Sequence, residues 1–184
     1  PVLSSSPLSG LYVILDAHAS RGRPLMEMMM AALAGGARIF QYRDKGSSAR
    51  EVYDRARPPR QAAKNGDAIF LVNDRCDLAL AVEADGVHLG QDDLPLALAR
   101  AIMGVGKLIG VSTHRLEQVV TATEGGADYL GFGLSRVCQR SQDIKDSANA
   151  DFTAGRGSVL HRRVEGGGKH EADAYRLQAF GHPL

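Results

Sequence analysis

The sequence is short of several things, and each shortage narrows what the chain can be. It holds only two cysteines, Cys76 and Cys138, with no Cys-x-x-Cys pair. No disulfide framework organises it, and a reducing, cytoplasmic setting is expected. No apolar run is long enough to span a bilayer. The first ten residues show neither the basic nor the apolar region of a secretory signal. Excess charge is also missing: 22 basic and 21 acidic side chains leave a net charge of +1, which gives no electrostatic case for a nucleic-acid or membrane partner. What remains is a chain of 184 residues, 44% apolar and 23% charged, enough for one domain with a sizeable core.

Within that chain, short apolar runs alternate with helical stretches. Leu11–Leu15, Arg38–Tyr42, Ala68–Val72, Asp85–Leu89, Lys107–Val111 and Asp128–Phe132 read as strands. They show little polar alternation, as strands buried on both faces of a parallel sheet do. The first intervening helix starts near Pro24, runs to Leu33 and ends at Gly35-Gly36. Its methionines Met26, Met28, Met29 and Met30 read as core filler. The second is capped by Ser47 or Ser48 and heads for Asn65-Gly66, with a break expected at Arg57 because Pro58-Pro59 removes two hydrogen-bond donors. Further helices are expected over Asp74–Val82, from Pro95, and over Leu116–Glu124. Gly36-Ala37-Arg38, Ala84-Asp85-Gly86 and Gly126-Ala127-Asp128 form a weak internal repeat, each leading from a helix into a strand. Such a pattern builds either an open doubly wound sheet or a barrel. No Gly-x-Gly-x-x-Gly follows the first strand, which counts against a dinucleotide-binding version. In both architectures functional residues follow the strands.

That rule singles out Gln41-Tyr42-Arg43-Asp44-Lys45 at the end of the second strand. Alternation along an extended segment puts Gln41, Arg43 and Lys45 on one side. An arginine fork and a compact lysine charge together suit a diphosphate. Asn73-Asp74 and Gln91-Asp92-Asp93 follow later strands, and carboxylates there point to a polyanion held with a divalent metal. Each feature also has a plainer reading. The basic segment can be a solvated loop, Asn73 and Ser112 can be helix caps, and Asp92-Asp93 can be helix N-terminal charge. His88, inside an apolar run, reads as a satisfied core histidine. His114 reads as lying behind the site, Arg75 and Asp77 as surface or packing charges. Cys76 has no paired histidine motif and is not expected to be a nucleophile.

Taken in order, Leu11 to Asp16, the Gln41–Lys45 segment, Asn73-Asp74-Arg75, Asp85 to Asp93, Gly110-Val111-Ser112-Thr113-His114 and Gly126 to Gly133 resemble the thiamine-phosphate synthase family. The resemblance covers about residues 11–133. It implies an α/β fold of (β/α)8 TIM-barrel type, here incomplete, with about six βα units recognisable. It implies joining of hydroxymethylpyrimidine diphosphate to thiazole phosphate, with Mg2+ as cofactor and small molecules as partners. It assigns Gln41, Tyr42, Arg43, Asp44, Lys45, Asn73 and Ser112 to substrate, with Arg43 and Lys45 acting in catalysis on the diphosphate. Asp74 and Asp93 are assigned to the metal. A thiazole-isomerising relative, a remnant that only binds the pyrimidine diphosphate, and another phosphate-binding barrel enzyme are the competing readings.

The motifs stop at Gly133, so residues 1–133 are expected to form the barrel-like region and residues 134–184 a divergent tail. Leu134 to Arg140 stands where the family carries a Thr-x-Thr-Lys phosphate loop, and Gly166-Gly167-Gly168 follows no strand-like run. Six units alone leave the first and sixth strands as open edges. Unless residues 134–184 supply two strands, poor folding and little or no turnover are expected.

Overall fold

Runs such as Ile69–Asn73, apolar on both faces of the pleat, are stable only where both faces are covered. The computed structural model describes residues 8–20 and 22–132, and the backbone of 158–163 and 174–179. It arranges the runs as strands β1 (Gly10–Asp16), β2 (Ile39–Arg43), β3 (Ile69–Asn73), β4 (Gly86–Leu89), β5 (Leu108–Thr113) and β6 (Tyr129–Phe132). Each pairs in parallel with the next, from Tyr12 opposite Ile39 round to Thr113 opposite Phe132. Helices α1 (Leu25–Ala34), α2 (Ala49–Asn65), α3 (Cys76–Ala81), α4 (Leu96–Met103) and α5 (Leu116–Glu124) form the crossovers. The result is a parallel α/β fold with a curled six-strand sheet.

Two further strands fall in the segment that shows no apolar periodicity. β7 (Ser158–Arg163) pairs in parallel with β6, and β8 (Ala174–Ala179) pairs antiparallel with both β7 and β1. The sheet therefore closes into a barrel, and the edges expected to be open are paired. The closure does not consist of two more parallel βα units, since β8 runs against its neighbours. Unpaired backbone groups on β1 and β6 are a template for any extended segment, which is why Ser158–Arg163 pairs without a long apolar run. Gly166-Gly167-Gly168, Leu134 to Arg140 and Cys138 lie outside the described residues.

The strands bury two distinct layers. Tyr12, Ile39, Leu71 and Tyr129 fill the barrel interior together with Leu8. Their neighbours Phe40, Tyr42, Phe70, Val72, Val87, Leu89 and Ile109 face outward and pack on Met29, Val52, Ala56, Ala63, Leu78, Ala79, Ala99 and Met103 of the helices. Of the α1 methionines only Met29 is fully buried, and Met30 is exposed, because successive helical side chains point about 100° apart. Helix α2 is continuous through Pro58 and Pro59, against the expected break. Val52, Ala56, Pro59 and Ala63 make one buried stripe, and Ser48 with Glu51 closes a capping box at its start. That anchoring offsets the two missing hydrogen bonds.

The internal repeat has a physical basis at the opposite end of the barrel from the strand carboxyl ends. Asp85 accepts from the Phe70 amide and pairs with Arg60, and Asp128 accepts from the Ile109 amide and pairs with Arg100. Each acid clasps the start of the preceding strand and an arginine from a crossover helix. Glycines inside the barrel make room for large neighbours: a Cβ on Gly110 would stand 2.0 Å from Tyr129 Cζ. Gly110→Ala is therefore expected to lower stability by about 2–3 kcal/mol through overpacking, read as a lowered midpoint in urea unfolding. An unchanged midpoint would contradict this packing.

Candidate active site at the carboxyl ends of the strands

One polar residue from each of the six parallel strands turns into the barrel, and the six are joined in a single hydrogen-bond chain. Gln41 Nε2 donates to Asn73 Oδ1, and Tyr12 Oη donates to Gln41 Oε1 at 2.8 Å. The Tyr12 and Tyr129 hydroxyls lie 3.1 Å apart, Tyr129 Oη lies 2.9 Å from His88 Nδ1, and His88 Nε2 lies 2.8 Å from Ser112 Oγ. Tyr12, Gln41, His88 and Tyr129 are buried. Such groups are costly unless paired, and no buried side-chain N or O among the described residues lacks a partner. His88 is a satisfied core histidine, and burial pushes its pKa down to about 4, so it is neutral. Asn73 and Ser112, the two ends of the chain, are half-buried and sit at strand carboxyl ends.

Above this neutral floor lies a ring of charge. Arg43 ion-pairs with Asp16 at the end of β1. Lys45 Nζ lies 3.1 Å from Asp74 Oδ2, just past β3. Asp74 is also within hydrogen-bond reach of Asp93, whose Oδ2 accepts from the Gly90 amide at 2.6 Å. Burial, with the neighbouring Asp93 carboxylate, raises the Asp74 pKa above its ordinary value, although Lys45 opposes the rise. Two carboxylates this close repel when both are ionised. The cluster therefore favours a proton or an added cation. Asp74 also holds a backbone φ of 64°, a left-handed conformation uncommon for a residue with a side chain.

The other sequence candidates divide by the face they occupy. Tyr42 points outward, fully buried against Phe70, and its hydroxyl pKa is pushed up to about 12 by burial and by Asp44. Asp44 is a fastener of the β2–α2 loop. It accepts from the Tyr42 hydroxyl and the Gly46 and Ser47 amides, and pairs with Arg55 and His18. Burial raises its pKa, but the bonds from Ser47 and Gly46 and the Arg55 charge outweigh that, so it lies below the ordinary value. Gln41, Arg43, Lys45, Asn73, Asp74, Asp93 and Ser112 come together at one end of the barrel; Tyr42 and Asp44 hold the elements beneath them. Asp92 and His114 are exposed, Arg75 pairs with Asp77 at the surface, and Cys76 is buried in the helix layer. A cleft of about 590 Å3 between α2 and α3, lined by Tyr53, Arg57, Arg60 and Glu83, opens near the opposite end. It shares none of these groups.

The sequence model of the thiamine monophosphate synthase family matches residues 11–172. The chain belongs to that family. The family match extends well past Gly133, where the legible motifs stop. Thiamine-phosphate synthase of Halalkalibacterium halodurans is 47% identical over 142 residues, covering 77% of this chain and 67% of that protein. Its counterpart in Chloroflexus aurantiacus is 50% identical over 123 residues, covering 67% and 56%. The solved structure of thiamine phosphate pyrophosphorylase from Pyrococcus furiosus superposes with a TM-score of 0.62 at 44% identity, covering 66% of this chain and 58% of that one. The chain thus spans a little over half to two thirds of the length of these relatives. No helix among the described residues is long and apolar enough to cross a membrane.

Three residues that touch the candidate site carry no signal of it in the sequence. Asp16 was visible only as the end of the first strand, yet its carboxylate accepts from the His18 and Ala19 amides and holds Arg43. Burial raises its pKa, and the Ala19 and His18 amides with Arg43 bring it below the ordinary value. Tyr12 and Tyr129 looked like apolar strand residues; only the structure shows that the Tyr12 hydroxyl meets Gln41, the Tyr129 hydroxyl meets His88, and the two hydroxyls meet each other.

The raised pKa of Asp74 has a definite sign in stability. As pH climbs above the ordinary value of 3.8, the unfolded chain releases a proton that the folded protein still holds, so stability falls until pH passes the folded value. Asp74→Asn is expected to raise stability at pH 7 by about 1 kcal/mol, the size of a substitution that relieves a strained site. The gain should vanish at pH 3, where the carboxyl is protonated in both states. Urea midpoints of parent and variant at the two pH values check this; a loss at pH 7 would contradict it.

Proposed function

We propose that this chain is a thiamine-phosphate synthase of TIM-barrel type. It would join hydroxymethylpyrimidine diphosphate to thiazole phosphate, releasing diphosphate and leaving thiamine phosphate. The observation that carries the reading is the charge cluster at adjacent strand ends, where Arg43 is seated on Asp16 and Lys45 on Asp74, with the Asp93 carboxylate beside Asp74. A thiazole-isomerising relative has no need of two cations and two carboxylates around one polyanion.

Two half-buried carboxylates fit Mg2+, which takes one or two carboxylates and fills its shell with phosphate oxygens and water. Among the described residues no group of three His, Cys, Asp or Glu side chains competes as a fuller metal cage. Asp74 and Asp93 would hold the ion, and when bound it supplies positive charge to the diphosphate oxygens. Arg43 offers its planar fork to the same diphosphate and Lys45 a point charge, both stabilising negative charge as the diphosphate departs. Each cation is already seated on an aspartate, so it is pre-oriented before substrate arrives. The Gln41 and Asn73 amides would orient the pyrimidine above the barrel floor. No general base is required, because an electron-rich pyrimidine stabilises the methylene cation left by the diphosphate. The family's Thr-x-Thr-Lys phosphate loop has no counterpart after Gly133 in this sequence, and Leu134 to Arg140, which stand in its place, lie outside the described residues.

The purified chain, given both substrates and Mg2+, is expected to form thiamine phosphate. Arg43→Ala and Lys45→Ala should each lower kcat/KM by about 100-fold or more, the scale for removing one charge-stabilising donor. Arg43→Lys should recover little, because a point charge does not reproduce the fork. Excess chelator should abolish turnover, and Mg2+ should restore it. Calorimetric binding of the pyrimidine diphosphate without product formation would instead leave a protein that binds and does not convert.

A further inference from the structure

The interior chain has a direction. A hydroxyl has one proton to give, and a neutral imidazole one ring N–H. Gln41 gives an amide proton to Asn73 and therefore turns its carbonyl oxygen to Tyr12, which donates to it. With that proton spent, the Tyr12–Tyr129 contact runs from Tyr129 to the Tyr12 oxygen. The Tyr129 proton is then spent as well, so the contact to His88 exists only if Nδ1 carries the ring proton and donates it. His88 Nε2 is left bare, and Ser112 donates to it. The opposite run is also self-consistent, but it requires both amides to turn over and moves the ring proton to Nε2.

We propose that Tyr12, Tyr129 and His88 are positioning residues whose one-way hydrogen-bond chain holds His88 as the Nδ1–H tautomer and so sets what the two ends of the chain offer a ligand. One end is the Asn73 amide, which keeps its N–H donors. The other is the Ser112 hydroxyl oxygen, an acceptor once its proton is committed to His88. This pairing suits a flat heteroaromatic ring that presents a ring-nitrogen acceptor on one side and an amino donor on the other. That last step rests on reading the strand ends as the substrate site; the tautomer does not. Coupling across six strands also means that a change at Tyr129, buried in mid-chain, reaches both ends without touching substrate.

The test is the ring-nitrogen NMR spectrum of the whole 15N-labelled chain. The six histidines are separated by comparison with His88→Gln, which loses the His88 signals. His88 is expected to show a protonated Nδ1 and a bare Nε2, unchanged between pH 5.5 and 8. A protonated Nε2 in the parent protein, or a doubly protonated ring, overturns the proposal. In Tyr129→Phe the Nδ1–H has no acceptor, and a buried unpaired donor is costly, so the ring should switch to the Nε2–H form and donate to Ser112. Persistence of Nδ1–H in that variant also overturns it. The parent spectrum decides alone if the variant does not fold. The same variant should raise KM for the pyrimidine diphosphate ~10-fold, the scale for losing a partner that orients a contacting side chain. An inactive parent with the expected tautomer would sink only the synthase reading; an active parent with Nε2–H would sink only this one.

Discussion

Everything at the carboxyl end of the barrel stands on a floor that has to be polar and fully paired at once. The pleat turns alternate residues of each of the six parallel strands into the barrel. Among those positions are Asn73, Gln41, Tyr12, Tyr129, His88 and Ser112, linked end to end. In so dry a setting any one of them without a partner would cost more than an ordinary hydrogen bond returns. The need for room reaches into the backbone. Gly110 lies under the Tyr129 ring, Gly86 against Leu108, and Gly131 against the His88 ring, all closer than a methyl group would allow or nearly so. Sequence, register and side-chain size are thus fixed together by one constraint.

Charge is added only where the barrel opens. Arg43 and Lys45 emerge one and three residues beyond Tyr42 and are met by Asp16 and Asp74 from the strands on either side. A second set of bonds fixes the loops that carry them. The Ala17 amide donates to the Arg43 carbonyl, His18 leans over Gly46, and Asp44 ties its own loop to Arg55 of α2. The cations, although part-exposed, are consequently oriented by carboxylates, so in the proposed function a polyanion would meet them already placed. The exception is the Asp74–Asp93 pair, where like charges are drawn together and one pKa rises. A rigid scaffold that keeps two acids in contact stores repulsion, and strain of that kind gathers at functional positions.

Much of this was legible in the residues themselves. The strand and helix sequence from Leu11 to Phe132 follows from apolar runs and turn residues, and the charged site from which side chains follow each run. The misses have identifiable causes. Pro58 and Pro59 looked like a helix break, but the buried stripe through Pro59 and the capping box hold α2 together. Tyr42 and Asp44 are assigned to substrate by the family resemblance alone; in the structure the pleat sends Tyr42 to the outer face against Phe70, and Asp44 fastens its own loop. The hydroxyls of Tyr12 and Tyr129 are separated by 117 residues in sequence, so no local pattern could join them. The strands Ser158–Arg163 and Ala174–Ala179 lack a long apolar run, and they form on edges that the first six strands leave waiting.

In the proposed reaction, acids at the ends of β3 and β4 share a cation with a diphosphate gripped from the end of β2. Crystals of the whole chain grown with the pyrimidine diphosphate and Mn2+ in place of Mg2+ test it most directly, through the anomalous signal of the metal. One Mn2+ peak is expected within coordination distance of both Asp74 and Asp93, with Arg43 and Lys45 on the diphosphate oxygens. A peak elsewhere, or a diphosphate bound away from Arg43 and Lys45, would contradict it.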